Sequence, residues 1–216
     1  MTRSFLPILL CAFSLVCAAQ TGKIEIIGAA TDTGISDSLK KALDAKGYRI
    51  TIDDGSVCEI WLRAAIPTQI KKESDGVLYP QLAESTLLGV ISFSKDTTDY
   101  KGDPVKAGVY TMRYALLPND GNHLGVAPSR DFVLLVPVAS DSDPAASFKI
   151  DELVRLSTKA TGTPHPAPFS LVSAEASSNA GITKDSEDHW VFSTNAKSAS
   201  GEALPLALIV KGVAQQ

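Results

Sequence analysis

The side chains best suited to chemistry are gathered in one stretch, Pro118-Asn119-Asp120-Gly121-Asn122-His123-Leu124-Gly125-Val126-Ala127-Pro128-Ser129-Arg130-Asp131, 14 residues between two strand-like runs. A connection of that length is at the upper end of what compact domains use without a functional reason. Imidazole and carboxylate suit zinc or a similar ion, so His123 with Asp120 and Asp131 could hold a metal. In a hydrolase the same groups would divide the work, with Asp120 or Asp131 as base and His123 as acid or metal ligand. Asp120-Gly121 and Asn122 are also the residues of an ordinary turn, through side chain to backbone bonds and tolerance of positive φ, and the turn reading takes precedence. Arg130-Asp131 likewise admits two readings. A local ion pair holding the loop end is preferred to recognition of a carboxylate or phosphate by the Arg fork.

The residues expected to meet a ligand are therefore Arg113, Asn119, Asp120, Asn122, His123, Arg130 and Asp131, with Tyr114 nearby. No catalytic residue, metal ligand or other cofactor is assigned. The chain has no HExxH, G-x-S-x-G, Walker loop, G-x-G-x-x-G or CxxC, so the usual support for zinc protease, serine hydrolase, nucleotide and thiol-redox chemistry is missing. Of the other two histidines, His165 lies between prolines in what reads as a rigid exposed loop, and His189 begins a strand as a rim residue.

The first 19 residues read as a secretory signal. Arg3 supplies the positive end, 5–16 an apolar core, and Cys17-Ala18-Ala19 a cleavage site of small residues. Such a segment is too short to span a bilayer. Its removal takes one Arg and no acid, which moves the net charge from −4 to −5. Nucleic acid is excluded as a partner, since phosphate contacts need a basic face. Cys58 is then the sole cysteine, so no internal disulfide forms. It falls in the alternating set Cys58, Ile60, Leu62, Ala64, Ile66 and is expected to be a buried core thiol.

The elements that must position the loop follow from periodicity. A strand over 23–30 leads to a helix from a Ser36 N-cap to a stop at Gly47. Tyr48, Ile50 and Ile52 alternate with polar residues, and Asp54-Gly55 is a hairpin turn into 57–66. Trp61 on the second face of that returning strand implies cover on both sides. A polar loop at 67–80 precedes the next strand, 86–94, and a turn-rich connection, 95–106, follows it. The strand over 108–117 turns Tyr110, Met112, Tyr114 and Leu116 to the core, with Thr111 and Arg113 opposite. The strand over 132–138 is apolar throughout, as one buried on both faces would be. A short amphipathic helix begins at Ile150 and ends before Gly162, and strands at 169–174, 189–196 and 204–211 complete the set. About eight or nine short strands and two helices predict a mainly β fold, a β-sandwich or jelly-roll-like arrangement with two peripheral helices. Residues 20–216 form one such domain.

The run Pro104-Val105-Lys106-Ala107-Gly108-Val109-Tyr110 resembles a strand-entry motif of secreted bacterial β-sandwich proteins of unknown function, with Glu59-Ile60-Trp61 and the 86–94 strand in similar order. The resemblance spans roughly 59–116, implies the sandwich and implies no activity. Together these features predict an exported, periplasmic or extracellular module that binds a glycan, a small molecule or an envelope protein through the 118–131 loop. The alternatives are the metal-assisted hydrolase centred on His123 and Asp120, and a structural envelope component.

Overall fold

The computed structural model describes residues 22–70, 75–119, 127–174 and 179–214. The expected signal segment lies outside them, as do Asp120, Asn122 and His123. The strands are β1 (Lys23–Ile27), β2 (Gly47–Thr51), β3 (Val57–Leu62), β4 (Leu87–Phe93), β5 (Thr97–Thr98), β6 (Pro104–Val105), β7 (Gly108–Leu116), β8 (Asp131–Pro137), β9 (Pro168–Val172), β10 (Gly181–Lys184), β11 (Trp190–Lys197) and β12 (Ala203–Lys211). Two helices, α1 (Asp37–Ala42) and α2 (Ile150–Thr161), accompany them.

Ten of the strands form one antiparallel sheet in the order β1-β2-β3-β4-β7-β8-β9-β12-β11-β10, nearly closed into a barrel. The mainly β expectation with two helices therefore holds, but the strands make one sheet in place of two packed ones. The turn comes at β9. Its residues 168–170 pair with β8, while Leu171 and Val172 pair with β12. The two edge strands, β1 and β10, come alongside each other without pairing, and a side chain in place of Gly22 would overlap Trp190 and Ile182 there.

Period-two alternation decides which side chains go inside. Tyr48 and Ile50, Cys58 and Ile60, Tyr110, Met112 and Tyr114, Phe192, and Leu206 and Leu208 all belong to one buried cluster. The interior is packed. A residual void of about 20 Å³ is walled by apolar side chains; it is too small for a ligand, and its lining offers a water no polar partners. The β4–β7 register shifts between Leu87 and Gly89, consecutive Leu87 and Leu88 are buried on opposite faces, and the backbone of Trp61 approaches so closely that a Cβ at Gly89 would overlap it.

The outer face is covered in two places. Leu39 of α1 packs with Trp61, Leu87 and Val90, and Leu153 and Leu156 of α2 cover Phe132, Leu134 and Val136. Hence β8 is apolar throughout, and Trp61 is buried on the face away from the barrel interior. The Asp54-Gly55 turn forms as expected, with Gly55 at φ 74° and Ile52 and Ser56 closing it. The first helix begins at its predicted Ser36 cap but ends at Ala42, not near Gly47, because Leu43 bridges Arg63 and the Asp44 amide donates to the Leu62 carbonyl. The second ends in a left-handed Gly162 at φ 66°. Strand β10 and the ribbon β5–β6 were not foreseen; they lie in polar stretches where periodicity carries little signal.

Asp99, in the turn before that ribbon's second strand, is buried. Its Oδ1 accepts from the amides of Lys101 and Asp103, while Oδ2 has no hydrogen-bond partner. Burial pushes its acid constant up from 3.8 to about 6, with the Asp103 charge adding to the shift and the two amides opposing it. Because the folded-state value is raised, the group's stabilising contribution is full below about pH 4 and is lost as pH rises through about 6. Asp99→Asn keeps the acceptor and removes the charge. It should be more stable than the parent by on the order of 1–2 kcal/mol at pH 7.5. Urea melts of both proteins at pH 4.5 and 7.5 check this, and a gap that failed to shrink at the lower pH would refute it.

Candidate functional site

One end of the barrel carries the connections after β3, β7 and β9, and the described ends of the 118–131 loop, residues 118–119 and 127–131, lie there. The polar segment 66–86 crosses this end as a cap. Ile66 bridges Ser198 beyond β11, and Tyr79 and Leu82 descend into the interior cluster. The Tyr79 hydroxyl donates to the Val172 carbonyl at 2.7 Å and accepts from the Ala207 amide at 3.1 Å. It stands in for the ladder bond between β9 and β12, at the place where β9 changes partner.

Asp131 locks the cap to the barrel. Its carboxylate is buried and accepts from the Leu78 amide (2.7 Å), the Tyr79 amide (2.9 Å) and the Tyr114 hydroxyl (2.6 Å). Burial, then the hydrogen bond and charge of Asp131, hold the Tyr114 phenol far above its ordinary range. Burial in the same region moves Tyr79 up to about 12. Arg130, half-buried, donates from Nε to the Leu117 carbonyl (2.9 Å) and from Nη1 to the Asp75 carbonyl (3.1 Å), and its amide donates to Gly76. These bonds of Arg130 tie the two loop ends to each other and to the cap, while the Asp131 carboxylate serves the cap and Tyr114. The expected local pair between these neighbours is replaced by that arrangement.

Arg113 lies away from the loop, on the outer face of β7. It is the largest fully buried side chain. Nε and Nη2 grip Asp141 Oδ2 and Oδ1, each at 2.7 Å, and the remaining donors reach the carbonyls of Ser85, Asp143 and Ala146. Phe148 lies 5.2 Å beneath the guanidinium. Arg113, expected as a ligand contact beside the loop, has these donors committed to holding segment 141–148 on the barrel. Asn119 is the one named polar residue that is described, exposed and on the loop.

His165 is exposed at the other end of the barrel, before β9. His189 is no rim residue. It is 2% exposed, with Nδ1 3.0 Å from Asp185 Oδ2 and Nε2 3.1 Å from the Val213 carbonyl, under the C-terminal stretch that returns to Tyr100. Cys58 is buried as expected, and its thiol is pushed up to about 12 by that burial with a smaller part from Glu59. A thiol so placed is a poor nucleophile.

Sequence reasoning missed a cleft at the same barrel end, about 240 Å³, lined by Asp44, Lys46, Tyr48, Leu62, Arg63, Ala64, Asn195, Ala196 and Lys197. Its walls are 130 residues or more apart in sequence, so no local pattern announces it. A shallower recess of about 100 Å³ at the opposite end has Ile50, Cys58, Phe93 and Val210 below a rim that includes Asp54, Lys95, Asp96 and Lys211. Among the described residues no group of three or more His, Cys, Asp or Glu is arranged to hold a metal, and no helix is long and apolar enough to cross a membrane. No family model, curated protein or solved structure matches this chain.

Proposed function

We propose that this chain is exported and that its mature part, 20–216, is a non-enzymatic binding module presenting the 118–131 loop to a glycan, small molecule or envelope protein. The observation that carries the reading is the anchoring of the loop ends. Arg130 and the buried Asp131 fasten both flanks to the cap and to β7, so the loop starts and ends on a rigid frame, the usual way a binding loop is supported.

The test is binding of the purified protein to an envelope extract and to soluble glycans, compared with a combined Asn119→Ala, Asp120→Ala, Asn122→Ala, His123→Ala variant. Retention by the parent should fall roughly tenfold or more in the variant, with the unfolding midpoint unchanged. Equal retention by both would sink the loop as the binding element. A midpoint raised by zinc in the parent and not in His123→Ala would replace this reading with the metal-assisted hydrolase.

A further inference from the structure

From the cleft beside β2 and β11 we infer a second, independent site for a small hydroxylated anion: a monosaccharide carrying a carboxylate, free or at the end of a glycan. The cleft exists because the barrel closes incompletely at this end. Strand β10 pairs with β11 only from Trp190 to Ser193, and beyond that pairing the end of β11 faces the start of β2 across the cleft. Two contacts fix its width. The Tyr48 ring packs 5.3 Å from that of Phe192, and Thr194 donates to the Tyr48 hydroxyl across the seam. At the lip, the Ile66 amide donates to the Lys197 carbonyl. The walls are held before any ligand arrives, which lowers the ordering cost of binding.

Charge selects the ligand class. Lys46 and Lys197 flank the cleft, and neither forms an ion pair among the described residues, although this is a chain in which acids outnumber bases. Lys46 stands instead 5.7 Å from the centre of the Tyr48 ring, at the mouth. Arg63, also in the lining, donates from Nη1 to the Pro144 carbonyl at 3.0 Å. Two ammonium groups at one opening favour an anion. Asp44 adds the other requirement. Its Oδ1 accepts from the Lys46 amide, which leaves Oδ2 to accept from a ligand hydroxyl, while its charge disfavours a dianion such as phosphate. The volume, below the roughly 300 Å³ at which drug-sized pockets begin, admits one sugar ring and no more.

The experiment is calorimetry or ligand-observed NMR on the full chain with D-glucuronate, a glucuronate-terminated disaccharide, glucose and inorganic phosphate. Glucuronate should bind at least about tenfold more tightly than glucose or phosphate, and weaken as salt is raised. Lys46→Gln with Lys197→Gln should remove that preference without moving the unfolding midpoint, both lysines being exposed. If the disaccharide binds as well as the monosaccharide, a glycan terminus is the source; if only the monosaccharide binds, a free sugar acid is. The Asn119→Ala loop variant should bind glucuronate normally, which separates this site from the loop. Equal binding of glucose and glucuronate, binding that survives in the double lysine variant, or no binding of glucuronate in any form overturns the inference.

Discussion

Arg113→Ala should lower the stability of this protein by about 3–5 kcal/mol, a large share of the roughly 5–15 kcal/mol that holds a domain folded. The side chain is 1% exposed and its partner Asp141 0%. Truncation strands a buried carboxylate and, with it, the carbonyls of Ser85, Asp143 and Ala146, and it removes the cation from the Phe148 face. Asp141 would keep one contact, from the Thr111 hydroxyl at 2.6 Å, which cannot balance its charge. Arg113→Lys should recover little, because an ammonium cannot satisfy two carboxylate oxygens and three carbonyls spread around a planar fork. Joint replacement, Arg113→Met with Asp141→Leu, should be far less damaging than Arg113→Ala alone, since no charge is then left buried without its partner. Urea unfolding of the four proteins checks the order. If Arg113→Ala were as stable as the parent, the buried pair would not be holding segment 141–148, and a ligand role for Arg113 would regain its standing.

Asp131→Ala should cost about 3 kcal/mol, as the amides of Leu78 and Tyr79 and the Tyr114 hydroxyl lose a charged acceptor together. Tyr114→Phe removes only one of these bonds and should cost about 1 kcal/mol. The loss has a local signature too. Once the cap loosens, Tyr79 withdraws from between β9 and β12, and the Ala207 amide, which donates to its hydroxyl, should exchange with solvent much faster than amides in the middle of β7. Hydrogen exchange at single-residue resolution distinguishes this from general destabilisation. A ligand carboxylate behaves in the opposite way: its removal abolishes binding and leaves the unfolding midpoint in place. Unchanged stability and exchange in Asp131→Ala would return Asp131 to the binding surface.

Both residues were singled out in the sequence as chemically capable, and both are structural. The reason lies in what a charged residue next to a strand-like run can mean. Alternation puts Arg113 opposite Tyr110, Met112 and Tyr114, which correctly removes it from the barrel interior, but it does not say whether that second face meets water or protein. The cover is 141–148, a turn-rich segment with no periodicity. Asp131 is similar: its position at the head of an apolar strand was plain, whereas its acceptor role depends on amides some 50 residues earlier.

What the sequence determined by itself is local. The alternating sets of β2, β3 and β7, the Asp54-Gly55 turn, the Ser36 cap, the Gly162 stop and the burial of Cys58 and of both faces of β8 each follow from side-chain period or backbone preference within a few residues. The tertiary structure alone decided the strand order and its near closure, the insertion of the Tyr79 hydroxyl into the sheet, the Arg113–Asp141 grip and the cleft between β2 and β11. A strand's pattern records which face is apolar and leaves open which strand lies beside it. Pairing is settled by the packing of all the faces at once, so sites assembled from distant strands come into being only when the sheet closes.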